Sequence, residues 1–146
     1  MVTKEFLYLL LIVLSIPFKY FVNESQACLQ IGKALSDVES GRGFQDAISI
    51  PASTKITLLI WFLIGVTLFL MVYYYDWTTF GLGLLILFIS SLIFGIFLPK
   101  TDSTHFKKKI LVSLVRRYAD YEKENDKVRA DAISMLIERF KNRIEL

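Results

Sequence analysis

The sequence predicts an all-α integral membrane protein. It contains a transmembrane helical hairpin, a weaker N-terminal membrane helix before it, and cytoplasmic amphipathic helices. Three observations predict this. Residues 56–72 and 80–98 are uncharged apolar runs of 17 and 19 residues. A third, shorter apolar run opens the chain at residues 6–18. The whole sequence of 146 residues is 54% apolar, with a mean hydropathy of +0.49, too apolar for an ordinary soluble domain. Four segments follow: a membrane helix at 1–22, a cytoplasmic helical loop at 23–55, the hairpin at 56–99 and a cytoplasmic helical tail at 100–146.

The N-terminal segment is the weakest of the three. Pro17 can kink it, and Lys19 must snorkel from its end. A signal peptide is one alternative, with Lys4 as the basic head and residues 6–16 as the apolar stretch. No small-x-small cleavage pattern follows at the right distance. Ser25-Gln26-Ala27-Cys28 is a poor lipobox, because Ser25 stands where Leu is expected. We read the segment as a retained spanning helix, tilted or kinked. An interfacial anchor is the other alternative.

Residues 23–40 have a helical pattern, with Ala27, Ile31, Ala34, Leu35 and Val38 on one stripe. Asn23 with Gln26 resembles a capping box, and Gly41 is placed to end the helix. Gly41-Arg42-Gly43 reads as a turn and residues 44–50 as a short helix before Pro51. Ser53 or Thr54 is placed to cap the first hairpin helix.

The two hairpin runs rise by ~26 and ~29 Å at ~1.5 Å per residue, against a hydrocarbon core of ~30 Å. In lipid every backbone polar group must find a partner within its segment, so both must be helices. The link between them, residues 73–79, has Asp76 as its only charge. Tyr73, Tyr74, Tyr75 and Trp77 form an aromatic belt at one surface.

Orientation follows from the distribution of Lys and Arg. Lys100, Lys107, Lys108, Lys109, Arg116 and Arg117 follow the last run, and Lys33, Arg42 and Lys55 lie in the 23–55 loop. The link has none. The positive-inside rule puts the tail and the 23–55 loop in the cytoplasm and the link outside. The expected location is an inner membrane of bacterial type with the C-terminus cytoplasmic. The formal net charge of +3 is explained by this bias, so nucleic acid is not expected as a partner. The sequon at Asn23-Glu24-Ser25 falls on the cytoplasmic side and is ignored.

The tail is helical and highly charged: residues 100–146 hold 12 Lys and Arg against 8 Asp and Glu. Asp102, Ser103 and Thr104 are alternative caps at its start. Leu111, Leu114, Val115 and Tyr118 give one apolar face. Val128, Ala132, Leu136, Phe140 and Ile144 give a second stripe, expected to bind a partner. Residues 119–127 between them are almost wholly polar. One long helix and two helices broken near Asn125-Asp126 both fit. Strict heptads are absent, which argues against a long coiled coil. Lys107-Lys108-Lys109 is a topology determinant that also attracts anionic lipid head groups at ~1 kcal/mol per charge.

No catalytic, cofactor or metal site is expected. A single Cys excludes an intrachain disulfide and a Cys-based cluster, and a single His excludes a two-His ligand set. Neither hairpin run holds an ionisable residue, which argues against a proton relay. Gly81-Leu82-Gly83 lacks the strand and length of a phosphate loop. His105 reads as a surface residue and Cys28 as a small helix residue. The informative polar pattern is Gly83, Ser90, Ser91 and Gly95. Small residues let helix backbones approach, so this face is expected to be a helix-packing interface, within the chain or against another subunit.

The sequence therefore points to a small non-catalytic accessory or scaffolding subunit of a larger membrane complex. Its partners would be other membrane subunits, or further copies of itself. The alternative is a homo-oligomeric channel or pore.

Overall fold

The computed structural model describes residues 2–35 and 50–144, and every element among them is helical. There are five helices among the described residues: α1 (Lys4–Leu35), α2 (Pro51–Tyr74), α3 (Trp77–Gly95), α4 (Thr104–Lys123) and α5 (Lys127–Arg143). α1, α2 and α3 are each long and apolar enough to cross a membrane. Val38 of the expected stripe, the expected helix end at Ser40 and Gly41, the Gly41-Arg42-Gly43 turn and nearly all of the helix at 44–50 lie outside the described residues.

The chain forms two compact units. The first comprises Met1–Asn23 and Ala52–Lys100, so it holds the early part of α1 with α2 and α3. Leu7, Leu11 and Leu14 recur every three or four residues along α1 and bury against Ile60, Ile64 and Met71 of α2. Phe18 meets Trp61 edge-to-face at 5.0 Å. At the other end the Tyr75 hydroxyl donates to the Val2 carbonyl, and the Lys4 ammonium lies 5.2 Å from the centre of the Tyr75 ring. α1 and α2 therefore run in opposite directions. The outside of this unit is a near-continuous surface of exposed Leu, Ile, Phe and Trp.

The second unit comprises Glu24–Pro51 and Thr101–Leu146. Its core joins Ala27, Ile31 and Leu35 of late α1 with Phe106, Ile110 and Leu114 of α4 and Ala130, Ile133, Leu136 and Phe140 of α5. The α1 stripe keeps the expected residues Ala27, Ile31 and Leu35, while Ala34 is exposed.

Four expectations are corrected. First, no helix starts at Asn23, because α1 passes unbroken through Pro17 and through the expected boundary at 22–23. Asn23 is a tertiary contact and not a cap: its side-chain amide donates to the Pro99 carbonyl at 3.1 Å. Second, α2 begins at Pro51, ahead of Ser53 and Thr54. A proline suits the first helical position, where its missing N–H and fixed φ carry no penalty. Third, the link shrinks from seven residues to Tyr75 and Asp76. Fourth, the tail takes the two-helix form of its two expected readings, but its apolar stripe is only half right. Leu136 and Phe140 are buried and Ile144 is half-buried, but Val128 is 82% exposed and Ala132 is exposed too. Steps of four residues advance ~40° around a helix turning ~100° per residue, so such a series walks off its face. Ala130, Ile133, Leu136 and Phe140, spaced by three, three and four, stay on one face and make the core. On α4 the same correction applies. Leu114 is buried, Leu111 and Tyr118 are half-buried and Val115 is exposed, while Phe106 and Ile110 complete the buried face.

Between α4 and α5, Asn125 adopts a left-handed φ of 58°, a conformation asparagine tolerates better than most residues. The Asp126 side chain then accepts the Arg129 N–H and caps α5. At the start of α4 the capping position belongs to Ser103, whose hydroxyl makes no capping bond.

Candidate functional site

The small-residue face of α3 is turned toward the chain's own helices. Gly83, Ser90 and Ser91 are buried and Gly95 is half-buried. A Cβ at Gly83 would stand 2.6 Å from Met71 Sδ and 3.2 Å from Leu11 Cδ1, so the glycine is where α1 and α2 approach α3. A Cβ at Gly95 would stand 2.9 Å from Lys19 Cε, so the lysine stem lies flat on the last turn of α3. Leu11 faces Gly83 and Lys19 faces Gly95, which makes α1 and α3 parallel.

Four hydroxyl groups in the apolar helices are satisfied within their own helices. Thr57 donates to the Ser53 carbonyl at 2.7 Å, Thr67 to Leu63 at 2.8 Å, Ser91 to Leu87 at 2.8 Å and Ser15 to Ile12 at 2.6 Å. Such back-bonding removes the cost of an unpaired hydroxyl in apolar surroundings. None of these four groups is left to demand water.

Asp76 organises the link. Its carboxylate accepts the Thr79 N–H at 2.8 Å and the Thr79 hydroxyl at 2.7 Å, capping α3. These two bonds, the hydroxyl first, hold the carboxyl below its ordinary range. The spacing Asp-x-x-Thr before an apolar run was the available sequence signal.

The basic cluster is divided. Lys108 is exposed and Lys107 half-buried. Lys109 instead pairs with Glu24, a carboxylate only 3% exposed. Sequence reasoning missed this pair, together with Arg139 and Arg143. The Arg139 guanidinium donates to the Leu35 carbonyl at 3.2 Å, and Arg143 donates to the Ala34 and Leu35 carbonyls at 3.4 Å. Both arginines of α5 thereby hold the last described carbonyls of α1. Their spacing of four residues was visible, but nothing marked their target.

The exposed members of the expected tail stripe, Val128 and Ala132, form a face of their own with Met135, which was not part of that stripe. Val128, Ala132 and Met135 lie within roughly 60° of one another on α5, and all three are exposed. Val112 and Val115 of α4 are exposed as well. His105 lies edge-to-face with Phe106 at 5.3 Å, and Cys28 is half-buried. Among the described residues no group of three or more His, Cys, Asp and Glu is placed to hold a metal. Comparison with known protein families, curated proteins and solved structures finds no match.

Proposed function

We propose that this protein spans a membrane three times and serves as a non-catalytic accessory or scaffolding subunit of a larger membrane complex. α2 and α3 form the transmembrane hairpin, and early α1 is the third span. The observation that carries the reading is the contrast between two kinds of surface. The first unit has an exterior of Leu, Ile, Phe and Trp suited to lipid or to apolar partner helices. The second unit is charged, yet leaves Val128, Ala132 and Met135 uncovered on one face of α5.

The arrangement favours an accessory role over a homo-oligomeric pore. A wet lumen needs a row of polar groups free to face it. Thr57, Thr67 and Ser91 are instead bonded to their own backbones. Lys100 and Lys107–Lys109 against a link without Lys or Arg support a cytoplasmic C-terminus, and an inner membrane of bacterial type is the proposed location. Lys107 and Lys108 then lie where anionic head groups are available.

The test is the mass of the particle released from native membranes by a mild detergent. A heteromeric complex that falls apart in Val128→Asp/Met135→Asp supports the subunit reading. A lone chain, or a symmetric ring of this chain only, overturns it. A C-terminal fusion to alkaline phosphatase should be inactive and one to a fluorescent protein bright; the reverse overturns the orientation.

A further inference from the structure

An apolar groove of 310 Å³ opens between α1 and α3 of the first unit, near the lower end of the ~300–1,000 Å³ usual for small-molecule sites. Phe18 and Val22 line one side and Leu84, Phe88 and Leu92 the other. Ser91 also lines it, but its hydroxyl is bonded to the Leu87 carbonyl and asks nothing of an occupant. The remaining lining residues are Leu87 and Lys19, and only Lys19 is charged. Its stem is held against Gly95, and its ammonium has no ion pair or hydrogen bond among the described residues.

These features select an occupant. Leu84, Phe88 and Leu92 are exposed members of the apolar exterior, so the groove opens sideways onto that surface. A ligand entering there must be mostly hydrocarbon. One unpaired cation at the groove requires a negative charge on the same molecule, and a lysine ammonium binds phosphate as a point charge. We propose that the groove between α1 and α3 binds one anionic phospholipid, an acyl chain lying along Phe18, Leu84 and Phe88 and the phosphate resting on Lys19. This rests on the membrane reading above. One cation near a membrane surface contributes ~1 kcal/mol, which corresponds to a preference of about fivefold for anionic over zwitterionic lipid.

Trp61 reports on the site because its ring packs on Phe18. The chain has two tryptophans, so Trp77→Phe leaves Trp61 as the sole emitter. The full-length variant is reconstituted into phosphatidylcholine vesicles containing small amounts of acyl-brominated phosphatidylglycerol or acyl-brominated phosphatidylcholine. Brominated phosphatidylglycerol should quench Trp61 at about a fivefold lower mole fraction. Adding Lys19→Gln should make the two lipids equivalent, with quenching by brominated phosphatidylcholine retained as proof of insertion. Lys19→Arg should keep the preference, as should Lys107→Gln/Lys108→Gln, which removes the other source of headgroup attraction. Equal quenching by both lipids before Lys19 is changed, or a preference that survives Lys19→Gln, overturns the site. Absence of quenching by either lipid overturns the membrane reading as well.

Discussion

Glu24 of α1 and Lys109 of α4 form an ion pair at 2.5 Å inside the second unit, with the carboxylate 3% exposed and the ammonium side chain 33% exposed. Removing Lys109 leaves the buried Glu24 carboxylate without its ion pair. Lys109→Met should destabilise the second unit by on the order of 2–3 kcal/mol, below the ~3–5 kcal/mol of fully buried pairs because Lys109 keeps some contact with water. Glu24→Gln/Lys109→Met together should cost less than Lys109→Met alone. Hydrogen exchange of α4 peptides in the full chain reads the difference, and equal loss in the single and double variants would refute it.

The two faces of α5 should respond oppositely to the same chemistry. Leu136→Asp or Phe140→Asp puts a charge into the core and should unfold α5, since even truncating a buried Phe costs ~3–5 kcal/mol. Val128→Asp with Met135→Asp should leave helicity unchanged. Circular dichroism of the detergent-solubilised protein separates them, and a fold lost in the second variant would show that this face is not free.

Gly83 and Gly95 should also differ. Gly83→Leu meets Met71 and Leu11 in the packed centre of the first unit and should lower its thermal midpoint. Gly95→Ala meets only the flexible stem of Lys19, which can move aside, so its midpoint should stay close to that of the unmodified protein. Equal shifts would mean that the two glycines play one role.

The Asp76 cap should be sensitive to acid. The folded carboxyl titrates below its ordinary range. Its contribution is therefore complete above the unfolded value of ~3.9 and is lost as pH falls through the lower folded value. Asp76→Asn should preserve most of the cap and Asp76→Ala should lose it. Faster hydrogen exchange at Thr79 in the alanine variant, and not in the asparagine variant, is the expected result.

The long apolar runs announced α2 and α3 because nothing else explains 17 and 19 uncharged residues in succession. The break near Asn125 was only half legible: the polar stretch allowed one helix or two, and the left-handed Asn125 followed by the Asp126 cap decides for two. Asn23 and Glu24 were not legible. A polar pair in mid-helix looks like a helix start until Pro99 and Lys109 are known to stand beside it. The α5 face was misjudged because a ladder of four-residue steps looks regular on paper while rotating steadily around the cylinder. The pairing of Lys19 with Gly95 depends on two helices far apart in sequence, and no local pattern records it.

Arg139 and Arg143 are bonded to carbonyls 104 to 109 residues earlier in the chain. At ~5–20 residues per second, a ribosome needs ~5–20 s to travel from Leu35 to Arg143. For that interval Ala27, Ile31 and Leu35 have been made but the helices that cover them have not. The second unit cannot assemble as it emerges. It must wait for the tail, and nascent chains stalled before α5 would present an unfinished apolar strip to chaperones and proteases.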